Sequence, residues 1–186
     1  MSTDWYATVT GSKLEQGDFL RSCPIFRVEV LENEKRSDTE VIQEDHDVIV
    51  LTQTCDLEND KVQDVLVAVV LPYVALVERD GQAKPNINSS SFKKAAVEGN
   101  LPSYFLLPVR ESPPAVEWSL VDFHNVFSVP KQLAARVAED QGERLRLVPP
   151  YKEHLAQAFA RYIMRVGLPT TLDGFKTFRI GNGALA

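Results

Sequence analysis

Cysteine is scarce in this 186-residue chain, which carries Cys23 and Cys55 alone. Two thiols do not make the disulfide framework on which small secreted domains rely. There is no CxxC or HxxxH pair to hold zinc, and no GxGxxG or Walker-type loop to cradle a phosphate. The three histidines, His46, His124 and His154, stand at no spacing diagnostic of a Cys–His nucleophile. The expectation is therefore no catalytic set, no metal and no cofactor. Long apolar runs are missing too. The longest, 65–77, is interrupted by Pro72 and falls short of the roughly 20 residues that cross a bilayer. The opening Met1-Ser2-Thr3-Asp4-Trp5 has neither the basic nor the apolar region of a signal peptide. A cytoplasmic protein without membrane contact is expected. Basic residues are also in deficit, 20 Lys and Arg against 26 Asp and Glu for a net charge of −6. Binding to nucleic acid through its phosphates is disfavoured on that balance and would need a local basic patch.

What is present suits a folded body. Hydrophobic residues at 44% and charged residues at 25% match ordinary globular domains rather than disordered chains. The length predicts a single domain over 1–186. Phe26–Leu31 (FRVEVL) and Arg144–Val148 (RLRLV) alternate apolar and polar residues as half-covered strands do. Val48–Leu51 (VIVL) and the run from Val65 are continuous and β-branched, the mark of strands buried on both faces, the second ending or bulging at Pro72. Tyr104–Leu107 and Leu120–Val129 add two more strands, and Glu40–Gln43 one short one. Ser91–Glu98 reads as a short internal helix with serines at its cap and Gly99 past its end. Lys131–Glu139 reads as a helical turn opened by Pro130 and closed by Gly142. After Pro149-Pro150, the residues Tyr151, Leu155, Ala158, Phe159, Tyr162, Ile163 and Val166 recur at helical spacing, so an amphipathic helix over about 150–166 must bury its stripe. The class is α+β, mostly β, with the body at about 14–148 and flexible ends at 1–8 and 174–186.

Chemistry concentrates in Leu51–Leu57, LTQTCDL, where a buried strand delivers Thr52, Gln53, Thr54 and Asp56 beside Cys55. Strand ends are where a rigid scaffold presents side chains to a cleft. A purely structural role is favoured over a functional one, because free cysteine is usually buried and inert: Thr54 or Asp56 caps a turn and Cys55 is a small buried apolar residue. A second candidate is VDFHNV, whose Asp122 and His124, with Asn125, could meet the cysteine loop at a strand end; the alternative is the exposed face of an alternating strand. Arg161 and Arg165 sit on the polar side of the last helix, and Arg165 lies near its C-terminus, where the dipole favours a cation.

Gly17-Asp18, the TQTCDL signature, the VDFHNV strand and the segment PPYKEHLAQAFARYIMRVGLP together span about 16–169. They resemble a family of small bacterial proteins with a T/S-Q-S/T-C-D-L signature, often encoded among mobile or defence genes. More distantly, the layout is similar to the SH3-like barrel of the MazF/PemK toxins. On that likeness Gly17-Asp18 answers to their opening Gly-Asp, which makes Asp18 a further candidate, and Val48–Thr52 answers to their Val-Leu-Ser strand. The toxins carry a catalytic Arg-Pro before that strand, where this chain has His46-Asp47. The resemblance implies a small SH3-like β-barrel and a non-catalytic protein-interaction or regulatory module. Such a module would be an accessory of a prokaryotic defence, CRISPR-associated or toxin-like system, with a partner protein encoded in the same operon. The alternative it implies is a MazF/PemK-like endoribonuclease with a rearranged site.

Overall fold

A computed structural model describes residues 4–30, 39–81 and 85–164. The architecture is α+β with strands in the majority. Five strands form one antiparallel sheet: β2 (Phe19–Val30), β3 (Thr39–Val50), β4 (Asp64–Pro72), β6 (Ser119–Pro130) and β5 (Tyr104–Leu107), in the spatial order β2-β3-β4-β6-β5. A separate two-stranded sheet pairs β1 (Tyr6–Val9) with β7 (Arg144–Leu147).

The expected closed barrel is corrected by this order. Closure requires every strand to find two neighbours, and among the described residues β2 and β5 remain edges of an open sheet. The β1–β7 pair meets the start of β2 through an Asp18–Arg146 bridge, the Leu147 N–H donated to the Gly17 carbonyl at 3.0 Å and the Arg144 and Arg146 side chains on Asp18, without joining the five-stranded ladder. Gly17 permits that approach, since its φ is +85° and a Cβ there would lie 2.9 Å from the Leu147 Cβ. A flexible end at 1–8 is likewise corrected: Tyr6 to Thr8 belong to β1, and the buried Tyr6 donates its hydroxyl to the Pro108 carbonyl at 2.8 Å. The other expected flexible end, 174–186, lies outside the described residues.

The apolar runs go where their pattern demands. Ile49, Leu51, Ala68 and Val70 face one core with Phe123 and Leu155, while Val48, Val50, Val67 and Val69 face another with Val129 and Ala134. The central strands are covered on both faces, by α5 (Tyr151–Ile163) and by α4 (Lys131–Gln141), which is why they read as continuous apolar runs. In α5, Leu155 and Ala158 are buried and Phe159 and Tyr162 rest on the Phe123 ring with centroids at 5.5 and 5.8 Å. Ile163, expected in the stripe, is instead exposed in the last turn, and Val166 lies outside the described residues. Trp5 stacks on Tyr151 at 3.9 Å.

Pro72 ends β4 as expected, but the apolar YVALV that follows is helix α2 (Tyr73–Asp80), not strand. Proline supplies the turn and cannot donate to a ladder. Beyond it Leu76 packs with Ile87 and Leu120 while Tyr73 and Val77 flank that contact, a spacing of three to four residues that suits a helix. Helix α3 (Ser90–Val97) is the expected internal helix, with Ser89 Oγ accepting the Phe92 N–H at 3.1 Å. Charge-rich 39–47, expected to give only a short strand, is the outer three-quarters of the twelve-residue β3, because its partner β2 pairs with it from Val30 back to Cys23.

Candidate functional site

The TQTCDL segment is a five-residue helix, α1 (Thr54–Glu58), rather than an open loop. Its polar side chains serve the turn. Thr52 Oγ1 accepts the Leu66 N–H at 2.7 Å and Thr54 Oγ1 accepts the Gln16 N–H at 3.2 Å. Gln53 is the N-cap without a side-chain cap bond, and Asp56 lies 3.8 Å from Lys61. Lys131 donates to the Leu57 carbonyl at 2.7 Å, tying α1 to the start of α4. Cys55 is exposed, against the reading of a buried apolar thiol, and its Sγ lies 3.6 Å from Gln53 Oε1. The buried thiol is Cys23, which burial, helped by the Asp45 charge, pushes up to about 11.

Asp122, His124 and Asn125 do form a cluster, but not with the cysteine segment. In β6 the register against β4 jumps from Val126 opposite Ala68 to Asp122 opposite Val69. Three residues, 123–125, are thus bulged out, a device common beside functional sites. The buried Asp122 holds the bulge shut: Oδ1 accepts from the His124 backbone N–H at 3.0 Å and lies 2.9 Å from His124 Nδ1, and Oδ2 accepts from Asn125 Nδ2 at 2.9 Å. The Asp122 carboxylate thus fixes the orientation of the imidazole through Nδ1. Tyr104 and Tyr162 meet the His124 ring edge-on at 5.7 and 5.8 Å. Burial, then the charges of Asp122 and Asp80, raise the Tyr104 phenol. Arg79, bidentate to Asp80 at 2.8 and 3.0 Å, reaches to 4.0 Å from Asp122. The imidazole is oriented, yet none of the cavities described below is lined by His124.

Asp18 is structural. It is fully buried with Arg144, whose Nε and Nη2 lie 3.2 and 3.1 Å from Oδ2, and Arg146 adds a second guanidinium on both oxygens. The arginines also donate to the Gly11 and Lys13 carbonyls and to Glu15. Arg165 lies outside the described residues. Among the described residues no three His, Cys, Asp or Glu side chains gather as a metal ligand set.

The feature that sequence reasoning missed is a groove of about 830 Å³ at the end of β4. Phe19, Val70 and Val116 line it together with the exposed Val74, Val109 and Trp118. Arg21 and Arg110 stand in its wall, oriented by neutral acceptors, the Ala115 carbonyl and Thr8 Oγ1 respectively. Asp47, Glu111 and Glu117 supply carboxylates. A second hollow of about 330 Å³, backed by Phe92, Leu106 and Leu120, shares Tyr73 and Trp118 with the first. The sequence signal that could have pointed to it is Trp118, a lone indole four residues past Pro113-Pro114. No family model and no curated protein sequence matches this chain.

Proposed function

We propose that this chain is a non-catalytic protein-binding module whose Trp118 groove receives an extended segment of a partner protein encoded in the same operon. The groove itself carries the reading. An indole half exposed at 50% between two hollows, with arginines in the wall, is the composition of a binding hot spot. Mixed charge suits a peptide better than a polyanion, because Asp47, Glu111 and Glu117 repel phosphates. The resemblance to the toxins bears on the same place: the pair His46-Asp47 stands where they carry their Arg-Pro, and Asp47 lines the groove. An accessory role in a defence, CRISPR-associated or toxin-like system follows from this reading.

One observation favours the second reading, an endoribonuclease with a rearranged site. Arg21 and Arg110 enter the same groove and no ion pair among the described residues neutralises them, so a phosphoryl group would find cations there. The deciding experiment offers the purified protein a mixed RNA pool and, separately, the products of the neighbouring genes. The expected outcome is intact RNA and one stable complex that Trp118→Ala weakens at least tenfold. Cleavage lost in Arg21→Ala or Arg110→Ala would put the ribonuclease first, and a complex indifferent to Trp118→Ala would remove the groove from the reading.

A further inference from the structure

Helix α3 starts at the Ser89 cap, which puts Phe92 and Ala96 on one row of its surface and Lys93 and Val97 on the row beside it. All four line the smaller hollow, of about 330 Å³. Ala96 and Leu120, both buried, close its base. Tyr73 and Phe92, with ring centroids at 6.4 Å, and the Trp118 indole supply its aromatic walls. The Tyr73 hydroxyl is already spent, donated to the Ile87 carbonyl at 2.9 Å and lying 3.3 Å from Asn88 Oδ1. One charge remains at the hollow, that of Lys93. Its neighbour Lys94 faces Glu98 at 3.8 Å, whereas Lys93 meets no carboxylate among the described residues and holds its Nζ 5.9 Å from the Tyr73 ring centre.

What such a hollow refuses fixes the class of ligand. A sugar or a peptide backbone would bring hydroxyl, N–H or C=O groups to an apolar base that offers them no partner, and burying them unmet is costly. A hydrocarbon tail has nothing to satisfy. Among the described residues no second cation and no carboxylate lines the hollow. A single ammonium matches one negative charge better than the roughly −1.5 to −2 of a phosphate monoester. We propose that the hollow is a small-molecule site for an apolar monocarboxylate, with its tail on Ala96, Leu120 and the three aromatic rings and its carboxylate at Lys93 Nζ. An ammonium placed over a ring rather than against an acid keeps its three donors for that carboxylate. The volume is at the small end of the roughly 300–1,000 Å³ of ligand sites, and an apolar lining with one orienting charge is their usual composition. The assignment does not depend on the protein-binding reading, because the arginines and carboxylates of the larger groove do not line this hollow.

The test titrates the full chain with octanoate, 1-octanol and octylammonium, each below its solubility or micelle limit, and follows binding by calorimetry. The expected result is saturable one-to-one binding of octanoate. Octanol should bind about fivefold more weakly, the worth of a solvent-exposed ion pair, and octylammonium about tenfold more weakly. Lys93→Met keeps an apolar stem and removes the charge, so it should bring octanoate down to the affinity of octanol and leave octanol unchanged. Lys93 is exposed, and thermal melting should show that variant folded. Ala96→Leu fills the base and should weaken octanoate and octanol alike, whereas Arg110→Ala, in the larger groove, should change neither. Absence of saturable octanoate binding, equal affinity for octylammonium, or indifference to Lys93→Met would each overturn the proposal. So would a loss of octanoate binding in Arg110→Ala, which would move the ligand to the larger groove.

Discussion

Asp18 and Asp122 are buried to almost the same degree, at 0% and 1% exposure, yet they spend their oxygens differently. Asp18 is surrounded by guanidinium groups, one of them fully buried itself, and joins β7 to the start of β2. Asp122 is hydrogen-bonded by uncharged donors and an imidazole that belong to its own bulge, with one guanidinium, Arg79, at the 4.0 Å margin. A buried carboxylate can thus tie distant segments together or shape a surface from below. The partners decide which, because removing an acid strands a buried arginine in one case and releases a short stretch of strand in the other.

That contrast is broken most directly at Asp18. Asp18→Ala leaves Arg144 buried without its counter-charge, and stranding a buried ion of this kind costs about 3–5 kcal/mol. Urea unfolding should show a loss of that size, and a loss under about 1 kcal/mol would mean that water or Glu15 replaces the carboxylate. Asp122→Ala should cost less, about 1–3 kcal/mol for the unmade hydrogen bonds, and should broaden or shift the His124 ring resonances while leaving those of His46 in place. Equal losses at the two sites would erase the distinction between tie and support. The smallest effect belongs to Cys55→Ser. An exposed side chain with only long sulfur contacts should change stability by less than about 0.5 kcal/mol. A larger loss would show that α1 depends on the thiol.

The two aspartates also mark what could be read from sequence. The buried runs of β3 and β4, the alternation of β7, the ends of α3 and the apolar stripe of α5 are local patterns, and local patterns survive into the structure. Helix α2 was misread because YVALV is apolar at every position, which hides its period. The bulge over 123–125 was illegible because it exists only as a mismatch of register between β6 and β4. The groove needs the turn at Pro72, the Arg110–Val116 bridge and the bulge at Arg21–Ser22 to meet, and no stretch of chain contains all three. The TQTCDL segment stood out for its composition, and most of that composition is explained by the bonds that Thr52 and Thr54 make to the backbone.

Between Leu20 and Cys23 the pairing of β2 with β3 slips, Ser22 adopts φ +47°, and its N–H is received by Asp47 Oδ1 at 3.0 Å. β3 passes this slip without a break, twelve residues from Thr39 to Val50, a rod of about 40 Å at roughly 3.3 Å per residue. Arg21 and Asp47 stand at this slip and both line the groove, so the slip itself sets how that cation and that carboxylate are spaced.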